Sequence, residues 1–264
     1  MRDLYHGDQM MRFVTQGYAV VAPDYAGLGT DGRPEFVNKT AQANDVIYAL
    51  KAARQAVPGL GRDWVLWGHS QGGGPALAVA ERLLHQPEPG YRGAVVTSPA
   101  AELVGLITYV KSQAGLSGLL ALVVQGASYS DPRVRPERPL TAAARERLSL
   151  TGPGCLNVVM AGYADLTGDQ ALRPTALRDK AFVGYLSRNS VGAAPVVGPV
   201  LLLQGEADTV VPPELTASVA VSLCEHGATV EYRTYPGLVH DTWPGGAIGI
   251  DDGAMPDILA WVAD

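Results

Sequence analysis

Five short runs rich in Val, Leu and Ile are separated by longer stretches with helical spacing, and this pattern constrains the chain most. It requires an α/β architecture, a mostly parallel sheet wrapped by helices. The runs are Gly17 to Ala22, Trp64 to Trp67, Ala94 to Thr97, Val200 to Leu203 and Thr229 to Tyr235. The first four are apolar enough for buried strands, and the fifth alternates in polarity as a strand nearer a sheet edge does. Between Thr40 and Val57, residues Ala43, Val46, Ile47, Leu50 and Ala53 fall on one helical face, and Thr40 can serve as the N-cap. A second helix runs from the glycines after Trp67 to about His85, and Met255 to Val262 closes the chain as a third.

Between the third and fourth runs, residues 101–196 carry no strand pattern, only helical stretches broken by Gly and Pro. A structureless loop of that length does not fit a compact domain. The expected organisation is therefore a core contributed by residues 1–100 and 197–264, with 101–196 inserted as a helical cap or lid. Its most apolar stretch, Leu116 to Val124, is too short to span a bilayer and reads as a buried helix or lid.

Composition excludes several classes of function. The 264 residues are 47% hydrophobic and 17% charged, enough to bury a core without a metal or disulfide. Net charge is −6, and the arginines between Arg133 and Arg147 are interleaved with acids, as on a solvated face. Nucleic acid is not an expected partner. Cys155 and Cys224 match no zinc or redox spacing, so one disulfide and two buried thiols are both open. The first six residues lack the apolar core of a signal peptide.

The chemistry is concentrated in Gly68-His69-Ser70-Gln71-Gly72, a G-x-S-x-G motif. In a chain with 31 glycines the pattern alone is weak, since chance supplies about 0.15 such matches. Its position directly after an apolar strand and before a helix gives it meaning. A serine hydroxyl needs a base, and it must project from the sheet to reach a carbonyl. Glycines at 68 and 72 permit the crowded crossing of strand and helix. The Gln71 amide, at the helix start, is the natural donor to a developing oxyanion.

Of five histidines, His240 follows the last strand, at the carboxyl edge where sites of open α/β sheets form. A lone loop histidine is usually a surface residue, but chain order favours this one as the base. His69 is expected to point away from Ser70, and His85 and His226 to lie on the surface near helix ends. The acid that orients the base is expected to be Asp208, after the Val200 strand, giving the order Ser, Asp, His. Glu206 is its rival, and Asp241 is the wrong kind of neighbour for His240.

With these residues the chain resembles the secretory lipase family of α/β hydrolases from about Gly17 to its end. The resemblance rests on Pro23-Asp24-Tyr25-Ala26-Gly27-Leu28-Gly29, Trp67 to Gly74, Gly205 to Asp208 with Val211-Pro212, and Tyr235-Pro236-Gly237 with His240. It implies an α/β-hydrolase fold and hydrolysis of carboxylic esters, including acylglycerols, by Ser70, His240 and Asp208. It implies no metal or organic cofactor, a small-molecule ester or lipid as partner, and a family that is often secreted. The same triad serves amide or peptide hydrolysis, and a non-catalytic relative would retain it as inheritance.

Such proteins also carry strands before the segment that begins here at Gly17, and the loop after one of them supplies a second oxyanion donor. Only sixteen residues precede Gly17 here, and Asp8 to Thr15 read as helix. His6-Gly7 is like the loop motif but stands too close to Gly17 to leave room for strand, loop and helix. The expectation is a chain short of its N-terminal strands.

Overall fold

The computed structural model describes residues 6–152, 155–242 and 246–264. The chain forms two compact units, one of Met1–Pro23, Ala43–Ala101 and Val191–Asp264, the other of Asp24–Gln42 and Glu102–Ser190. In chain order the helices are α1 (Gly7–Thr15), α2 (Lys39–Ala56), α3 (Gly73–Arg82), α4 (Leu103–Ser112), α5 (Ser117–Ser130) and α6 (Ala142–Arg145). They continue with α7 (Leu156–Gly162), α8 (Gly168–Ala171), α9 (Lys180–Asn189), α10 (Pro213–Glu225), α11 (Ile250–Gly253) and α12 (Met255–Ala263). The strands are β1 (Trp64–His69), β2 (Tyr91–Thr97), β3 (Val200–Gly205) and β4 (Val230–Tyr235).

The first unit is built on one sheet in the order β1-β2-β3-β4, with every pair parallel. Parallel strands need crossovers, and α3 and α10 supply two of them. Side chains alternate faces along each strand, so the sheet has two cores. Leu66, Val96 and Leu202 pack with Ile47 of α2, Leu77 of α3 and Leu223 of α10. Val95, Leu201 and Leu203 pack with Phe13 of α1 and with Met255 and Ile258 of α12. β3 is buried along its whole length, whereas β4 is only half-buried, as its alternating sequence requires at an edge.

Two local expectations are corrected. The run Gly17 to Ala22 is not a strand: it makes no ladder among the described residues, and Ala19, Val21 and Ala22 are exposed. A strand depends on a hydrogen-bonding neighbour as much as on its side chains, and among the described residues β1 pairs with β2 alone. The cap of α2 is Asn38 rather than Thr40, because Asn38 Oδ1 accepts from the Thr40 and Ala41 amides at 3.1 Å each.

The second unit is helical, with an isolated antiparallel bridge between Leu140 and Leu172. Several of its helices start where a side-chain acceptor meets free amides. Glu102 accepts from Val104 and Gly105, Asp179 accepts from Ala181 and Phe182, and Thr167 forms a capping box with Gln170. The apolar stretch around Leu116 lies mostly in α5, with Leu120 and Val124 buried. Arg133, Arg138, Arg147 and Arg188 of this unit pair with acids. Asp131 receives Arg133 at 2.8 Å and Arg188 at 2.6 Å, which holds its carboxyl down at about 2 despite the opposing effect of burial. Cys155 and Cys224 are both exposed free thiols, so neither reading of a disulfide or a buried pair holds. Among the described residues no helix is long and apolar enough to cross a membrane.

Candidate active site

β1 ends at His69, and Ser70 leaves it at φ 52°, in the left-handed region. A side chain there is strained, and such strain persists only where surrounding structure enforces it. The enforcement is visible. Ser70–Gly72 make one 3₁₀ turn directly before α3, and the Ala100 amide donates to the Ser70 carbonyl at 2.9 Å. A Cβ added at Gly68 would lie 2.2 Å from the Gly72 carbonyl oxygen, and one at Gly73 would lie 2.6 Å from Pro99 Cβ. Strand and turn therefore approach closely enough to fix Ser70, and Gly73 lets the start of α3 pack on Pro99 and Val96.

Gly68→Ala is expected to destabilise the chain by at least about 1–3 kcal/mol, because backbone rather than a flexible side chain must move. Gly61→Ala, where an added Cβ meets nothing within 4 Å, is the control and should stay within about 0.5 kcal/mol. Urea unfolding of the two variants measures the difference.

The structure brings Ser70, His240 and Asp208 together. With the Ser70 hydroxyl donating to His240 Nε2 at 2.8 Å, Nδ1 carries the ring proton and donates to Asp208 Oδ2 at 2.7 Å. Both His240 and Asp208 are buried. Their loops are tied to one another by backbone bonds: the Glu206 amide donates to the Tyr235 carbonyl and the Ala207 amide to the Leu238 carbonyl, each at 3.0 Å. The other carboxylate oxygen of Asp208 accepts from the Val210 and Val211 amides at 2.8 and 2.9 Å. Burial alone pushes the Asp208 carboxyl up. The His240 hydrogen bond and charge, with these two amides, outweigh it and hold the group below the usual carboxylate range.

The remaining sequence candidates lie elsewhere. Glu206 accepts from Thr234 Oγ1 at 2.7 Å, and Asp241 Oδ1 lies 3.3 Å from His69 Nε2. His85 and His226 are exposed. The Gln71 amide stands between Ser70 and α3, at the start of the turn. His69 is buried with Nδ1 3.0 Å from Thr97 Oγ1, and its ring lies tilted against that of His240, centroids 4.7 Å apart. Burial pushes its imidazole below the ordinary range, against the pull of the neighbouring Asp241 carboxylate.

α1 spans Gly7–Thr15, in keeping with the helix read over Asp8 to Thr15, and the His6 ring lies 5.0 Å from that of His69. Sequence reasoning also missed Gln204. Its buried amide nitrogen faces Asp208 Oδ2, Gly205 O and Val211 O at 3.0–3.3 Å, while its oxygen accepts from Thr216 Oγ1 at 2.6 Å. The signal was present, since a glutamine that extends the apolar run Val200 to Leu203 must find buried partners.

Comparison with known proteins places this geometry in context. The model of the secretory lipase family matches residues 8–263. No curated protein matches the chain by sequence. A ligand-bound structure of the rice cell wall degrading esterase LipA from Xanthomonas oryzae is 21% identical, with a TM-score of 0.69 over 81% of this chain and 62% of that one. Another LipA structure reaches 22% identity and a TM-score of 0.74 over 89% of this chain and 68% of that one. Candida antarctica lipase A is 17% identical, with a TM-score of 0.66 over 78% of this chain and 51% of that one. The chain thus spans about half to two thirds of the length of these proteins, whose likeness establishes the α/β-hydrolase fold.

Proposed function

This chain belongs to the secretory lipase family, and we propose that it hydrolyses carboxylic esters through an acyl-enzyme formed on Ser70. The observation that carries the reading is the unbroken hydrogen-bond path from Ser70 Oγ through His240 to Asp208, at 2.8 and 2.7 Å. A serine held in a strained turn with its hydroxyl on an imidazole is a nucleophile with its base in place. His240 takes the proton as Ser70 attacks the ester carbonyl. Asp208, already ionised, holds the ring in the tautomer that accepts at Nε2 and stabilises the imidazolium that forms. The Gln71 amide, next to the nucleophile in sequence, donates to the oxyanion. His240 then protonates the leaving alcohol, and water activated by the same imidazole releases the acid. No step draws on a cofactor.

Family membership favours small-molecule esters, acylglycerols among them, over amides. A panel of p-nitrophenyl esters and aminoacyl p-nitroanilides tests the substrate class. Turnover of the esters with little or none of the anilides is the expected result. Preference for the anilides would contradict the ester reading and leave the nucleophile assignment intact.

A further inference from the structure

Three segments far apart in sequence converge behind the His240 ring: the residue before α1, the end of β1 and the loop after β4. They bring His6, His69 and Asp241 together, and one ligating atom from each lies within 4.8 Å of the other two. We propose that these three side chains form a binding site for a divalent transition-metal ion of the zinc class. Two imidazole nitrogens and one carboxylate oxygen are the donor set such an ion selects over magnesium or calcium. Ligand bonds of about 2.0–2.1 Å in a tetrahedral arrangement place neighbouring donors roughly 3.3 Å apart. His69 Nε2 and Asp241 Oδ1 already stand 3.3 Å apart.

Two further observations point the same way. The His69 side chain is 3% exposed, and its Nε2 is aimed into the cluster, near the Asp241 carboxylate but without a well-formed hydrogen bond. A buried polar atom without a hydrogen bond is costly unless something else satisfies it. The second observation is how each ring is held from behind. His69 Nδ1 is bonded to Thr97 Oγ1 at 3.0 Å, and His6 Nδ1 to Asp251 Oδ2 at 3.1 Å. Asp251 is itself buried and accepts from Gln9 Nε2 at 3.2 Å. An acceptor on Nδ1 fixes ring orientation and tautomer so that Nε2 ligates, the arrangement that supports metal-bound histidines generally. Three protein ligands leave a fourth position for water or another donor. An ion bound there would tie the start of α1 to the end of β1 and to the loop that carries His240.

The test is isothermal titration of the metal-free, folded chain with Zn²⁺, with circular dichroism to verify that each variant is folded. One Zn²⁺ per wild-type chain is expected. Asp241→Asn and His6→Gln are each expected to weaken binding at least about tenfold, whereas His240→Gln should retain it. Zn²⁺ should also raise the Tm of the wild type and leave that of Asp241→Asn unchanged. The proposal is overturned if the folded chain binds no Zn²⁺. It is equally overturned if binding survives both Asp241→Asn and His6→Gln, or is lost only in His240→Gln. These readouts do not depend on ester hydrolysis.

Discussion

Ser70→Ala is expected to lower kcat on a p-nitrophenyl ester by about 10⁶-fold, with KM little changed. The size of the effect follows from the order of events. Without Oγ no acyl-enzyme forms, and His240 and Asp208 have no bound nucleophile to activate, so their contribution disappears with it. What survives is the binding of the ester and the oxyanion donors. The substitution should leave stability little changed, since φ 52° is strained for serine and alanine alike and only a part-buried hydroxyl is removed. A Tm close to the wild type, together with lost turnover, separates a chemical role from a structural one. Undiminished turnover would remove Ser70 from the mechanism.

Asp208→Asn is expected to cost about 10⁴-fold in kcat. The asparagine is nearly isosteric, so the Val210 and Val211 amides still find an acceptor in its carbonyl oxygen. The NH₂ group then faces His240 Nδ1, across the 2.7 Å contact where the carboxylate now accepts. The ring is driven to the tautomer with the proton on Nε2, which cannot receive the Ser70 proton. Nothing anionic remains to stabilise the imidazolium. Stability should respond to pH as well. The Asp208 carboxyl is depressed in the folded chain, so its stabilising contribution is complete above the unfolded value of about 3.9. It is lost as pH falls through the lower, folded value, and Asp208→Asn should flatten that part of the acid unfolding curve.

Much of this site is legible in the sequence because its constraints are local. Ser70 needs a strand before it, a helix after it and glycine at the crossing, and all three are written within a few residues. Asp208 and His240 are readable from chain order, since the loops after β3 and β4 open on the same edge of the sheet. Strands β1 to β4 carry their burial in their composition, down to the alternation that marks β4 as an edge.

What was not legible depends on partners that local composition does not encode. Gly17 to Ala22 has the side chains of a strand but makes no ladder among the described residues, and so is none. The choice of Asn38 over Thr40 as the cap of α2 turns on which side chain reaches two free amides. The cluster of His6, His69 and Asp241 joins the start of the chain to its last loop, and no spacing rule links residues so far apart. His6 read as part of a loop-like His6-Gly7 segment and Asp241 as a poor partner for His240. Only the fold reveals that both face His69 instead.

The most direct test of the central claim is to treat the folded wild-type chain and Ser70→Ala with a fluorophosphonate and map the adduct by peptide mass spectrometry. The reagent traps only a serine whose hydroxyl is activated by a base and whose oxyanion is received by nearby donors. Stoichiometric labelling on the peptide containing Ser70, absent from the variant, is the expected result. A folded wild-type chain that remains unlabelled, or one labelled at a different serine, would contradict the assignment of Ser70 as the nucleophile.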